Sequence, residues 1–464
     1  MTDKLISSMK IEGLFGLYDY SIPKIGSLQN ASILYGDNGV GKSTLLRLAF
    51  HLMSPASDRG HRTALYNTEF KSLEVILSSG AKLTAKKIKK NELIILLMEI
   101  WEGDLRTAIW DYCPRDERQF HERDLFYFDI DGRGRQLIKR SKSPHQAELN
   151  LGNTPRGESI YLEKLTSVSP TMFILNADRR LDSDSVADPS DEVELRRTMQ
   201  YGEPKRINEL VVRSREIALS QALSSATKWI GRKAVQGANQ GSMNVHSVYA
   251  DVLTKLVASG NRKEESSEEI SIPDLLTQLT KIDLISAEHA DYELATHLST
   301  KEFKKSISGR NKSKNLLAAK LIKPYISSVE GRLNAVAPLY KLINRFVKII
   351  NELLTDKKIS FKLSQGFKLE NRLGVTLNSA QLSSGEQQLL LLFCYVLTAR
   401  DTPTIFMIDE PEISLNIKWQ RKLIQVLLDI TEDASIQFIF ASHSMELLSQ
   451  HRSRVVKLEG FKNV

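Results

Sequence analysis

Residues 32–50 read SILYGDNGVGKSTLLRLAF, and no other stretch of the 464-residue chain limits its possible folds so tightly. Apolar Ile33, Leu34 and Tyr35 predict a short buried strand, and the residues after Ser43 predict a helix. Between them run Gly36, Asp37, Asn38, Gly39, Val40, Gly41, Lys42, Ser43 and Thr44. Gly-x-x-x-x-Gly-Lys-Ser between a strand and a helix is the spacing of a phosphate-binding loop. Glycines clear side chains so that backbone N–H groups wrap the phosphates, and the helix N-terminus adds its positive end. Lys42 is placed to reach β- and γ-phosphates, and the Ser43 hydroxyl to bind Mg²⁺.

Such a loop needs an acid on a neighbouring strand. In PTIFMIDEPEISL (403–415), Ile405 to Ile408 predict a buried strand with Asp409 at its end. Asp409 suits the Mg²⁺ shell, and Glu410 suits polarisation of an attacking water. A further strand, SIQFIFASHSMELL (435–448), places His443 34 residues beyond Asp409. That puts it at the carboxyl edge of a doubly wound sheet, where ligands sit, so it can sense a γ-phosphate.

LSSGEQQLLLLF (382–393) opens an apolar helix with two hydroxyls, a glycine and a carboxylate. In this order the motifs resemble those of ABC-type ATPases, with their SMC and Rad50 relatives. The resemblance implies an α/β ABC-type P-loop head with an antiparallel β arm and an inserted helical or coiled-coil subdomain. It implies ATP and Mg²⁺, with Lys42, Glu410 and His443 in catalysis. It also implies that Ser383, Ser384, Gly385 and Glu386 contact nucleotide held by a second copy, in a homodimer or higher even-numbered oligomer. The chain departs from the family in having Ser384 where Gly is usual and Asn416 where Asp or His is frequent. It lacks a clear linking Gln; TMFILNADRR (171–180), with Asn176, Asp178 and Arg179, stands nearest, and an ordinary strand end reads equally well.

The 340 residues between Lys42 and Leu382 exceed what a compact core needs. Alternating residues over 70–140 predict hairpins, with Asp131-Gly132 as a turn. Residues from about 190 to 355 show helical spacing, interrupted by polar 259–271, and 358–381 reads as a hairpin. The expected division is 1–180, 181–356 and 357–464. The acidic string 178–194 reads as a solvated loop before a metal site, and the basic segment 301–320 as a solvated helix face before a phosphate or acidic-protein site.

A formal charge of +8 permits acidic partners without requiring them. Two distant cysteines, Cys113 and Cys394, give no disulfide framework, which fits a reducing cytoplasm. No apolar run approaches the roughly 18–20 residues of a membrane span, so no membrane partner is expected.

Among ABC-type proteins, LSSGEQQ, DEPEISLNIKWQRKL and FASHSMELL most resemble short ATPases of bacterial anti-phage systems. These include the OLD nucleases, the Septu ATPase and, nearest in length and motif order, the ATPase subunit (AriA) of PARIS. OLD proteins carry a Toprim nuclease after the ATPase. Only about 20 residues follow His443 here, so the resemblance implies a separate Toprim-type nuclease effector. It further implies a phage trigger protein, including acidic DNA mimics. Direct DNA binding stays open, in a RecF- or Rad50-like repair ATPase; the ATPase of a membrane transporter fits the long insertion less well.

Overall fold

The computed structural model describes residues 5–90, 93–114, 156–176, 181–183, 216–239, 250, 254, 271–413, 415 and 417–459. Packing divides the chain into two compact units, Met1–Ile207 with Ala399–Val464, and Asn208–Thr398.

The first unit contains two six-stranded sheets. One is an antiparallel meander in the order β2 (Tyr18–Ile22), β1 (Ile6–Leu14), β4 (Ser72–Leu77), β5 (Ala81–Lys90), β6 (Leu93–Glu102), β7 (Leu105–Tyr112). Strand β4 alternates buried with more exposed residues throughout, the pattern of a strand with one face packed and the other nearer water. The other sheet has the order β15 (Val455–Lys457), β3 (Ala31–Tyr35), β14 (Ile436–Ser442), β13 (Thr404–Asp409), β8 (Thr171–Leu175), β9 (Leu181–Asp182). Its first five strands are parallel and β9 runs against β8. Every residue of β13 and β14 is buried, the pattern of parallel strands covered on both faces.

Helix α1 (Lys42–Met53) lies between the sheets. Leu45, Leu46, Leu48, Ala49, Phe50, Leu52 and Met53 join one core with Leu83 and Ala85 of β5 and with Ile405, Met407 and Ile439 of the parallel sheet. A helix apolar nearly all round is a buried one. On the other face of the parallel sheet, Phe173 stacks on Phe406 at 4.8 Å and Phe406 on Phe438 at 5.5 Å. Buried Gln437, the second residue of β14, ties the sheets together. It accepts from Ile6 N and donates to Ile6 O, both at 2.8 Å, and donates to Gln29 O at 3.2 Å. Two further helices of this unit, α2 (His61–Asn67) and α3 (Glu158–Val168), lie near the meander.

The second unit holds helix α4 (216–239), α5 (Ile272–Asp291), α6 (Lys301–Ile307) and the 42-residue α7 (Lys312–Leu353). At 1.5 Å per residue α7 is about 60 Å long. Leu275, Leu279 and Ile282 pack with Ile307, Ile326, Val329 and Leu333. After α7 come β10 (Lys357–Lys362), β11 (Gly366–Asn371) and β12 (Thr376–Leu377), a three-stranded antiparallel sheet, then α8 (Ser384–Thr398). Residues 357–398 fall within the second unit, where the hairpin runs straight out of α7; Asn351 accepts from Ile359 N at 2.7 Å and donates to Ile359 O at 2.9 Å. The chain returns to the first unit with β13, α9 (Ile417–Ile430), β14, α10 (Met445–Gln450) and β15.

The expected strands 33–35, 405–408 and 436–440 are all present, and the expected hairpins over 70–112 and 358–377 are antiparallel strands. In the basic segment, Lys301, Lys305, Arg310, Lys312, Lys314 and Lys320 are exposed. The Asp131-Gly132 turn, the loop 184–194, the helical stretch 190–215 and nearly all of 259–271 lie outside the described residues. Among the described residues no helix is long and apolar enough to cross a membrane.

Candidate functional site

The site follows from strand order. β3, β14 and β13 are adjacent and parallel, so the segments leaving their C-terminal ends emerge side by side. β3 leads into Gly36, β13 ends at Asp409, and β14 ends one residue before His443.

The loop after β3 turns through Gly39 (φ 86°) and Gly41 (φ 88°), the left-handed region where a side chain is strained. Gly41 is doubly constrained, because a Cβ there would lie 2.6 Å from Leu14 Cδ2. Tyr20 donates from its hydroxyl to Val40 O at 2.9 Å and braces the loop from β2. Lys42 is buried and donates to Gly36 O at 2.8 Å and Asp37 O at 2.9 Å. Its ammonium therefore lies inside the loop it would share with phosphates.

Ser43 donates to Asp409 Oδ1 at 2.7 Å. Arg47, one helical turn further along α1, has a guanidinium nitrogen 3.9 Å from Asp409 Oδ2. Burial pushes the Asp409 carboxyl above its ordinary range and the Glu410 charge adds to this, while Ser43, Arg47 and Lys42 oppose it. A hydroxyl and a carboxylate in contact are oxygen donors suited to Mg²⁺, which keeps water and substrate phosphates as its other ligands. Among the described residues no cluster of three or more His, Cys, Asp or Glu could cage a metal. The donor set thus fits an ion delivered with a nucleotide.

Glu410 has φ 47°, uncommon for a residue with a side chain, and its N–H donates to Ala441 O at 2.8 Å. A backbone held in that region costs about 1–3 kcal/mol and is concentrated at functional sites. His443, half exposed, has Nδ1 3.6 Å from Glu410 Oε1. Asn176 follows β8, whose Leu175 pairs with Ile408, so it stands at the same edge beside Asp409. Asp178, Arg179 and Asn416 lie outside the described residues.

The SSGE segment belongs to the second unit. Ser383 and Ser384 are exposed, while Gly385 and Glu386 are buried at the start of α8. Ser383 N donates to Glu386 Oε2 at 2.7 Å and Glu386 N donates to Ser383 Oγ at 3.4 Å, a reciprocal capping box. Lys357 of β10 donates to Glu386 Oε2 at 2.7 Å. Burial alone would raise the Glu386 carboxyl; the contacts from Lys357 and Ser383 outweigh it and hold it below its ordinary range. The carboxylate thus shapes the loop, and the two serines are what it displays.

Residues not anticipated from sequence are Arg47, Glu412 and Gln420 around the strand ends and, separately, Lys357 beside the SSGE segment. Glu412 Oε1 accepts from Ser442 Oγ at 2.8 Å, His443 N at 3.1 Å and Ser444 N at 3.2 Å. The one signal for it is a second carboxylate two residues after Glu410.

Three motifs on adjacent parallel strands define a P-loop ATPase. Residues 245–449 match the AAA_21 family, described as "AAA domain, putative AbiEii toxin, Type IV TA system". The molybdenum import ATP-binding protein ModC of Escherichia coli K12 is 35% identical over 78 residues, 17% of this chain and 21% of ModC, as is that of Shigella flexneri. The match thus spans about a fifth of the length of these curated relatives. The Smc head of Pyrococcus furiosus, solved with an extended coiled coil and bound to the C-terminal domain of ScpA, aligns over 96% of this chain and 91% of its own. It does so at 13% identity and a TM-score of 0.34. That superposition is loose, and it is the strand order and the motifs on it that define the class.

Proposed function

We propose that this chain binds and hydrolyses Mg·ATP between two copies of itself and acts as the sensor and scaffold of a bacterial anti-phage system. In this reading it holds a separate nuclease effector and releases or activates it when a phage trigger protein is detected. The observation that carries the ATP-hydrolysing part is the convergence of Lys42, the Ser43–Asp409 pair, Glu410 and His443 on three neighbouring strand ends. Lys42 and the N-terminus of α1 receive the β- and γ-phosphates, and Ser43 and Asp409 supply the protein oxygens for Mg²⁺, which neutralises charge on the phosphates. Glu410 orients and deprotonates the attacking water, and His443 faces the γ-phosphate.

The exposed Ser383 and Ser384 at a helix N-terminus are built to receive an anion. A second copy of the chain supplies that anion as its bound nucleotide, which makes a homodimer, or a higher even-numbered assembly, the working form. The description of the matching family names an AbiEii toxin and a type IV TA system, which supports an output through a toxic effector rather than through transport. The motif variants SSGE and DEPE favour an ATPase of the PARIS or Septu kind with a Toprim-type nuclease partner. The net positive charge suits an acidic, DNA-mimicking trigger.

The test is affinity capture of the Glu410→Gln variant from its native host with ATP present, read by mass spectrometry. Recovery of one dedicated protein with nuclease motifs supports the proposal. Recovery of DNA and repair enzymes without such a partner overturns it in favour of a RecF- or Rad50-like ATPase acting on DNA.

A further inference from the structure

Glu412 is nine-tenths buried, yet all three of its side-chain hydrogen bonds fall on one oxygen, Oε1, and all come from residues 442–444. Oε2 is buried with no hydrogen-bond partner. Burying a carboxylate is costly, and charge-assisted hydrogen bonds of this kind, about twice as strong as neutral ones, offset it. The donors are the two backbone N–H groups at and after His443 and the hydroxyl before it. The same Oε1 lies 3.5 Å from His443 Nδ1, and Glu410 Oε1 lies 3.6 Å from that nitrogen.

A second link joins the same two segments. Gln420 of α9 donates to Glu412 O at 3.2 Å and Leu415 O at 2.9 Å, and accepts from Ser444 Oγ at 3.1 Å. Ser444 N also donates to Ser442 Oγ at 3.0 Å. The chain after β13 and the chain after β14 are therefore one hydrogen-bonded piece, with Glu412 at its centre.

We infer that Glu412 is the positioning residue for His443, fixing its backbone from the neighbouring strand end so that the imidazole Nδ1 is held near two carboxylates beside the γ-phosphate site. Glu412 does not touch the reacting atoms; it acts through His443. A bare helix cap for the short α10 would need only the two N–H contacts. It would give no reason for the same oxygen to lie against the imidazole, nor for the parallel Gln420 link. The kinetic arm of the test rests on the ATP-hydrolysis reading, and the spectroscopic arm does not.

The full chain is assayed as wild type, Glu412→Ala and Glu412→Gln for steady-state ATP hydrolysis. The ¹H–¹⁵N resonances of the His443 imidazole are followed in ¹⁵N-histidine-labelled protein, assigned by loss in His443→Gln. Glu412→Ala is expected to lower kcat by about ten- to a hundredfold with KM within about twofold, the mark of misplacement rather than lost binding. Glu412→Gln, which keeps an acceptor for all three donors, is expected to stay within about threefold of wild type in kcat. The His443 resonances move in Glu412→Ala, and less in Glu412→Gln, which keeps the acceptor and loses only the charge beside the imidazole. An unchanged kcat, equal changes in kcat and KM, or unmoved His443 resonances in folded Glu412→Ala overturn the inference. Should Glu412→Ala fail to fold, the Glu412→Gln resonances decide alone: His443 moved by the loss of the neighbouring charge upholds the inference, and His443 unmoved from wild type overturns it. Wild-type protein without ATP hydrolysis overturns the proposed function instead, and the His443 resonances then decide the role of Glu412.

Discussion

The first unit carries two sheets of six strands each, and only one of them ends in chemistry. In the antiparallel meander, neighbouring strands leave the sheet at opposite edges, so no edge collects successive loops. In the parallel sheet β3, β14, β13 and β8 all finish at one edge, and Gly36, His443, Asp409 and Asn176 arrive there together. Direction alone gathers residues hundreds of positions apart. Burial follows the same divide, since β13 and β14 are buried throughout whereas β4 is buried at alternate positions.

The contrast can be broken at several places. The largest stability effect is expected from Phe406→Ala, which removes a fully buried ring stacked between Phe173 and Phe438. Urea unfolding should show a loss of about 3–5 kcal/mol. At the strand ends the effect is on rate. Glu410→Gln should lower kcat by about a hundredfold or more while keeping nucleotide affinity, whereas Lys42→Ala should lose affinity for a fluorescent ATP analogue. Hydrolysis by Glu410→Gln at the wild-type rate would remove Glu410 from the role of base.

Ser383→Arg tests the display of the SSGE loop. It should lower ATP hydrolysis while binding at the P-loop persists, at a helix-cap cost of about 1 kcal/mol. Ser383→Asp keeps a capping oxygen but opposes phosphate, and should be as inactive without that cost. Unchanged hydrolysis in both would remove the role of a second copy.

A smaller effect is expected from pH. The Asp409 carboxyl is raised above its ordinary 3.8, chiefly by burial. Its contribution to stability is thus fully present below 3.8 and is lost as pH rises through the folded value. Mg²⁺ binding needs the ionised form, so calorimetric Mg·nucleotide affinity should fall as pH drops into the window just above 3.8, and Asp409→Asn should abolish that dependence. The smallest effect belongs to the meander's solvent face. Lys10→Ala, breaking the exposed 2.8 Å pair with Glu12, should change stability by no more than about 0.5 kcal/mol.

What could be read in advance divides along similar lines. The P-loop, Asp409, Glu410 and His443 were legible because strand, turn and helix signals sit next to the chemical residues in the chain. Glu412 and Gln420 were not, because their partners follow a different strand, and only the adjacency of β13 and β14 brings 412 to 442–444. The Ser383 hydroxyl, expected from the sequence to face phosphate, serves in the structure as a helix cap, a use that depends on where α8 begins. The hairpin pattern over 358–381 states its own pairing and not the helix it packs on, so the Asn351–Ile359 bonds could not be read from it.

One consequence concerns how the molecule is made. The P-loop strand β3 has β14 on one side and β15 on the other, and both come from residues 436–457. No strand synthesised earlier can hold it in the sheet. At about 5–20 residues per second, the ribosome leaves β3 without its neighbours for roughly 20–80 seconds. During that interval the meander can already assemble beside it. A nascent chain is therefore unable to form its nucleotide site until the helical insertion has been completed, and any quality control that senses bound nucleotide reads the integrity of everything in between.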